Sequence, residues 1–145
     1  MAIGRYRWLE LGEGARKPLG NDGDDLLRRL NNAAREVQAH VKITSGRRTN
    51  YEQWLAYQDY LAGGILAAPC CSLGSPHQWS RCLKQCMSNH CASRAVDCVV
   101  KRRGVGWVNL GEWQKMRDAM RAKGLCLPVG YGETWHVEVG NRWES

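Results

Sequence analysis

No hydrophobic run in the sequence is long enough to cross a membrane. The longest weakly polar stretch has eleven residues, 61–71, and contains two glycines and a proline, whereas a membrane-spanning helix needs about 18 apolar residues. An apolar secretory segment is missing too, because six charged side chains interrupt the first seventeen residues. We therefore expect a protein that is made in the cytosol and does not insert into a membrane.

Phenylalanine is absent, although the chain has seven Trp and five Tyr. Internal repeats and low-complexity tracts are missing as well, which excludes solenoid and disordered classes of protein. The fractions of apolar residues, 43%, and of charged residues, 24%, are typical of a globular chain. A length of 145 residues is enough for one hydrophobic core, so we expect a single domain over residues 1–145 and a monomer.

Hydrophobic periodicity predicts three helices. The first has Asp22 or Asp24 as its N-cap, and the second begins at a capping box formed either by Thr49 and Glu52 or by Asn50 and Gln53. The predicted helices cover about 22–40, 49–63 and 109–124.

Three short strands are predicted as well, at 41–44, 95–100 and 135–139. Residues 1–21 are expected to form an irregular N-terminal arm, and residues 65–93 a cysteine-rich insertion without regular structure. The helices come early, the strands come late, and no βα unit repeats. This order favours an α+β fold with a small antiparallel sheet and about three helices.

Positive charge exceeds negative charge along the chain. Lys and Arg number 21 and Asp and Glu number 14, which gives a net charge of +7. This balance favours encounter with a polyanion, which can be a nucleic acid, an anionic cell wall or a membrane surface. Net charge alone does not choose among these partners.

His90, Asp97 and His136 are the candidate metal ligands. His90 and Asp97 are seven residues apart, about 10.5 Å along a helix and about 23 Å along an extended strand. Both lengths are too great for ligands that each lie about 2 Å from one ion, so the chain is expected to bend between them. Two imidazoles and one carboxylate suit zinc and leave one position open, which is typical of a catalytic site.

A carboxylate beside such an ion can act as a general base. Glu133 stands three residues before His136 and is the preferred candidate. Glu138 stands two residues after His136 and shares its face of the predicted strand. It is the alternative base, or a partner that orients an imidazole.

Three segments of the sequence resemble the motifs of a known enzyme family. They are SGRRTNYEQ at 45–53, SNHCASRAVD at 88–97 and ETWHVEV at 133–139. In order and spacing they resemble the zinc D-alanyl-D-alanine carboxypeptidases and the related L-alanyl-D-glutamate endopeptidases of phage endolysins, over about residues 26–139. The resemblance implies an α+β zinc peptidase of hedgehog-like fold, in which Glu133 serves as general base and acid. The implied zinc ligands are His90, Asp97 and His136.

The same resemblance implies residues that contact the substrate. Arg48 would bind a substrate carbonyl or carboxylate and stabilise the developing oxyanion. The family commonly has an aromatic residue where Arg47 stands, which leaves open whether Arg47 or Arg48 faces the site. The residues implied to place the peptide are Gln53 and Ser88, with Trp135 as a wall of the site.

Five residues of the cysteine-rich insertion form a candidate for a second, structural zinc site. They are Cys70, Cys71, His77, Cys82 and Cys86. Free thiols, or disulfides formed after release into an oxidising space, are the alternatives. Cys98 adjoins Asp97 in sequence and is expected to point to the opposite face of its strand.

The function we expect is that of a zinc-dependent peptidoglycan peptidase of the bacteriophage endolysin type, which hydrolyses a peptide bond of the cell-wall stem peptide during lysis. Such an enzyme would be made in the host cytosol and act on the anionic wall after release, with its positive charge supplying attraction. One alternative is a basic zinc-binding nucleic-acid module, which the acidic residues near the motifs disfavour. Another is a zinc dipeptidase that acts on soluble peptides. We expect no nucleic-acid partner.

Overall fold

The computed structural model describes residues 2–64, 95–127 and 136–139. This part of the chain contains three α-helices, which are α1 (Gly20–Val37), α2 (Asn50–Leu61) and α3 (Gln114–Ala122), and a 3₁₀ turn at Leu110–Glu112. Its strands are β1 (Ala2–Ile3), β2 (Tyr6–Leu11), β3 (His40–Ser45), β4 (Ala95–Arg102), β5 (Gly106–Asn109), β6 (Leu125–Cys126) and β7 (His136–Val139). Within these ranges, no helix is both long and apolar enough to cross a membrane.

The seven strands form one mixed sheet. Their order is β1-β2-β3-β4-β7-β6, and β5 pairs with β4. The fold class, α+β, is as predicted, but the expectation of an antiparallel sheet is wrong for one pair, because β2 and β3 run parallel. Helix α1 connects these two strands, and a crossover of this kind lets consecutive strands point the same way.

The expectation of an irregular arm over residues 1–21 is wrong for β1 and β2. Only Tyr6 and Leu9 are buried in β2, and because they are three residues apart, burial does not alternate along this strand. Tertiary contacts fix the strand instead. Leu9 lies opposite Val41 of β3, and the Trp8 amide donates to Asn31 Oδ1 of α1 at 3.0 Å.

Helix α1 and one face of the sheet form the hydrophobic core, against which α3 packs. Each large apolar side chain buried there contributes about 1.5–3 kcal/mol to folding. The main core residues are Leu26, Leu27 and Leu30 of α1, Met116 and Met120 of α3, and Val41, Ile43, Val96, Cys98, Val100 and Val137 of the sheet.

The other face of the sheet is polar. Successive side chains of a strand point to opposite faces, so the neighbours of the core residues face away from α1. We call this the polar face and define it by Lys42, Asp97, Lys101, His136 and Glu138. Every residue of the sheet that carries candidate chemistry lies on it.

The ends of the helices differ from the predicted ends by a few residues. The capping box at the start of α2 is confirmed, since Thr49 Oγ1 accepts from the Glu52 amide and the Glu52 carboxylate accepts from the Thr49 amide. Helix α1 begins at Gly20 and ends before Gln38, whose left-handed backbone (φ 54°) stops the helix. Asn109 caps the 3₁₀ turn rather than α3.

We expect Gly46→Ala to lower the free energy of unfolding by about 1–3 kcal/mol, the usual cost of overpacking. A Cβ at Gly46 would overlap the backbone carbonyl oxygen of Arg16, which accepts from the Arg47 amide at 3.0 Å. Urea denaturation would measure the change, with Lys17→Ala, an exposed side chain next to the same carbonyl, as the control. Equal midpoints for both variants would contradict this account.

Candidate functional site

The candidate site lies on the polar face where β3, β4 and β7 run side by side. Asp97 of β4 is directly opposite His136 of β7 in an antiparallel register. On its other side, Asp97 is opposite Ser45, the last residue of β3. Side chains that are distant in sequence therefore meet at adjacent positions of three strands.

A β-bulge in β3 brings Ser45 to this position. Ile43 is opposite Cys98, but the next pair joins Ser45 to Asp97, so Thr44 is an extra residue in β3. In an unbroken ladder Thr44 would face Asp97, and Ser45 would point to the opposite face of the sheet. Bulges commonly redirect a side chain in this way next to active sites.

The imidazole of His136 is held between two carboxylates. Its Nδ1 lies 3.0 Å from Asp97 Oδ1, and its Nε2 lies 3.0 Å from Glu138 Oε2. Both His136 and Glu138 are buried. Burial lowers the pKa of His136, but the hydrogen bonds and charges of Asp97 and Glu138 outweigh it and raise that pKa to about 9. At neutral pH the favoured form is an imidazolium that donates from both nitrogens.

Arg48 is the second cation at Asp97. Its Nη2 lies 3.6 Å from Asp97 Oδ2 and donates to Ser45 Oγ at 2.9 Å. The sequence left open whether Arg47 or Arg48 faces the site, and in the structure it is Arg48 that contacts Asp97. The Nε of Arg47 is buried and has no hydrogen-bond partner among the described residues.

Three of the sequence-predicted site residues are therefore brought together: Arg48, Asp97 and His136. The other predicted site residues lie outside the described part of the chain. For Gln53 of α2 the structure describes the backbone but not the side chain. Within the described ranges, no group of three or more His, Cys, Asp or Glu has the arrangement to hold a metal ion. The residues outside the described ranges are Ser88, His90, Glu133 and Trp135, together with Cys70, Cys71, His77, Cys82 and Cys86 of the candidate structural zinc site.

Two features of the site go beyond the sequence analysis. Ser45 received no role there, although it stands in the first of the three motifs. Glu138 was left as either a base or a partner that orients an imidazole, and its carboxylate lies at Nε2 of His136. The two-residue spacing of His136 and Glu138 on one strand was the signal for this contact.

Cys98 takes no part in the site. It is fully buried in the core on the face opposite Asp97, as the strand alternation predicted. Burial, and then the negative charge of Asp97, raises the pKa of the Cys98 thiol. The thiol is therefore neutral at physiological pH and is no nucleophile.

Comparison with known proteins gives a structural likeness but no match by sequence. No protein-family model matches the chain, and no curated protein matches it by sequence. Among solved structures, the L-Ala D-Glu endopeptidase ChiX of Serratia marcescens is similar, with a TM-score of 0.53 and 16% sequence identity. The likeness covers 82% of this chain and 80% of that chain. At this identity it shows a shared fold.

The two carboxylates around His136 predict a specific titration. In protein stripped of metal with a chelator, NMR of the ring nitrogens should give His136 a pKa of about 9. Glu138→Gln should lower that pKa, because it replaces a charged acceptor with a neutral one, whereas Glu112→Gln on the exposed 3₁₀ turn should not change it.

The sign of the linked stability follows from that titration. The pKa of His136 is higher in the folded state than its unfolded value of about 6.5. Protonated His136 therefore makes its full contribution to the free energy of unfolding below pH 6.5, and this contribution is lost as the pH rises through about 9. If the free energy of unfolding of the stripped protein did not change with pH over this window, the assignment would be wrong.

Proposed function

We propose that this protein is a zinc-dependent peptidoglycan peptidase of the endolysin type, which hydrolyses a peptide bond in the stem peptide of the cell wall. The observation that carries the proposal is the contact of the buried His136 with two carboxylates, those of Asp97 and of the buried Glu138. Support also comes from the fold, which the chain shares with an L-Ala D-Glu endopeptidase, and from the three sequence motifs. The L-Ala–D-Glu bond is accordingly the first one to test, and the D-Ala–D-Ala bond the second.

The residues present suit a zinc ion. Two ligands at about 2.0–2.1 Å from a tetrahedral zinc lie roughly 3.3 Å from each other. Asp97 Oδ1 and His136 Nδ1 are 3.0 Å apart, so a shift of a few tenths of an ångström would let both bind one ion. The third ligand in this proposal is His90, which lies outside the described residues.

Glu138 supports the same assignment. A histidine that binds zinc through one nitrogen usually donates its other N–H to a carboxylate, which fixes the tautomer and raises the basicity of the ligand. Glu138 Oε2 occupies this position at Nε2, which leaves Nδ1 for the metal. The carboxylate is fully buried, and a buried charge is costly unless a partner compensates it. Orientation of His136 is therefore the role we assign to Glu138, and Glu133 remains the proposed base.

The bound ion would supply Lewis acidity at the scissile carbonyl. The proposed general base, Glu133, would accept a proton from the attacking water and deliver it to the leaving amine. Arg48 would stabilise the negative charge that develops on the carbonyl oxygen, because Ser45 and Asp97 already hold its guanidinium at the site. We assign the placing of the peptide to Gln53 and Ser88, with Trp135 as a wall.

Further parts of the proposal concern where the enzyme acts. It would be made in the host cytosol and reach the anionic wall after release, and the net charge of +7 would favour that encounter. A structural zinc ion in the insertion remains part of the proposal, so that two ions per chain are possible.

The first test is metal content. His136→Ala should lose one zinc ion per chain, and Glu138→Gln should bind zinc about 10–100-fold more weakly, the usual effect of losing the partner of a ligand. Elemental analysis and competition with a chelator would measure both. His40→Ala, which changes the partly exposed histidine at the start of β3, is the matched control. Wild-type zinc content in His136→Ala would overturn the proposed site.

The second test is cleavage of purified cell-wall sacculi. Glu133→Ala should keep its zinc and lose about 10²–10⁴-fold in rate, as expected for loss of a general base. Mass spectrometry of the fragments identifies the bond, since a new amino-terminal D-Glu marks the L-Ala–D-Glu bond and free D-Ala marks the D-Ala–D-Ala bond. Cleavage at the native rate would show that Glu133 is not the base. Activity confined to soluble peptides would favour a dipeptidase.

A further inference from the structure

An exposed tryptophan and two lysines lie on the polar face of the sheet, away from the candidate site. Lys42 of β3 places its Nζ 4.2 Å from the centroid of the Trp107 ring, and Lys101 of β4 places its Nζ at 5.9 Å. Trp107 itself, on β5, is 39% exposed. We call these three residues the Trp107 surface.

The register of the strands places this surface on the same face as the candidate site. Lys42 is opposite Val99, and Trp107 is opposite Lys101. Asp97, Val99 and Lys101 alternate along β4 and so point to one side. Asp97 and Lys101 are four residues apart, about 13 Å along a strand. A polymer chain that lies on this face can therefore contact the Trp107 surface and the candidate site at once.

The two lysines of the Trp107 surface lack an ion-pair partner in the described part of the protein. Within those ranges no carboxylate forms an ion pair with Lys42 or Lys101, nor with Arg103 in the turn that joins β4 to β5. Some arginines elsewhere are paired, as Arg29 is with Asp25 at 3.0 Å. Glu10 of β2 is opposite Lys42 in the sheet. Its carboxylate lies 3.6 Å from Nε2 of His40 and forms no ion pair with Lys42 among the described residues.

Exposed tryptophan and unpaired cations together are typical of a binding surface. Tryptophan and arginine are enriched among the residues that carry most of the binding energy at interfaces. A tryptophan ring offers a flat apolar face that matches the C–H face of a pyranose ring. Ammonium groups beside it match carboxylates that project from such a polymer.

We propose that the Trp107 surface binds the glycan strand of peptidoglycan, with Trp107 against a sugar ring and Lys42 and Lys101 paired with stem-peptide carboxylates. This inference rests on the proposed function. The proposed function favours a glycan over a nucleic acid, because the stem peptide that would enter the candidate site is attached to a glycan strand.

Co-sedimentation with purified sacculi tests the proposal. Trp107→Ala should bind at least about fivefold more weakly, as expected for a central aromatic anchor. Lys42→Gln/Lys101→Gln should bind more weakly and lose part of its salt dependence. The matched control is Lys17→Gln/Lys115→Gln, which removes the same charge from two exposed lysines elsewhere. Circular dichroism establishes whether each variant is folded. If Trp107→Ala does not fold, the Lys42→Gln/Lys101→Gln variant still tests the surface.

The readouts separate this proposal from the proposed function. Cleavage of a soluble stem peptide, which carries no sugar ring, should be unchanged in Trp107→Ala, because the proposal assigns Trp107 to the glycan and not to the peptide. Sacculi bound by the wild type but not cleaved would overturn the peptidase and leave the surface intact. The surface is overturned if both sets of variants sediment like the wild type, or if the control pair loses as much binding as the Lys42 and Lys101 pair. DNA binding that Trp107→Ala abolishes, with sacculi binding intact, would assign the surface to nucleic acid instead.

Discussion

The antiparallel register between β4 and β7 is the constraint on which the candidate site depends. It places Asp97 directly opposite His136, although the two residues are 39 positions apart in the sequence. A slip of one residue would turn His136 into the core and Val137 onto the polar face. Burial of Val96 and Val137 on the core side opposes such a slip. The hydrophobic effect on one face of the sheet thus fixes the position of the polar chemistry on the other.

Charge compensation then determines how the polar face is arranged. The two oxygens of Asp97 face two different cations, His136 and Arg48, and the second nitrogen of His136 faces Glu138. A buried ion pair often stabilises a fold no more than well-packed apolar side chains in its place would, because desolvation offsets much of its attraction. The arrangement is better explained by chemistry, since it holds an imidazole and a guanidinium in fixed positions near one carboxylate. The lysines around Trp107 lie further along the same face.

Several elements were predictable because their signals are local. The apolar positions of α1 recur every three or four residues, and the capping box of α2 is contained in four residues, Thr49 to Glu52. Strands β3 and β4 alternate cleanly enough to be found, each to within about two residues. β2 was missed because its burial does not alternate, and its parallel pairing with β3 depends on α1 bridging the two strands. β5 is half-exposed and offers no clear pattern either.

By itself the sequence determined the types and spacing of the chemical groups. Motif spacing singled out Arg48, Asp97 and His136, and alternation along a strand predicted that Cys98 would turn away from them. Only the tertiary structure decided that Arg48 rather than Arg47 contacts Asp97, and that the bulge at Thr44 places Ser45 opposite Asp97. A bulge is defined by the pairing with the partner strand, here β4, so the sequence of one strand alone does not predict it. Periodicity is a local property of the chain, whereas register is a property of two strands and is set where their side chains pack.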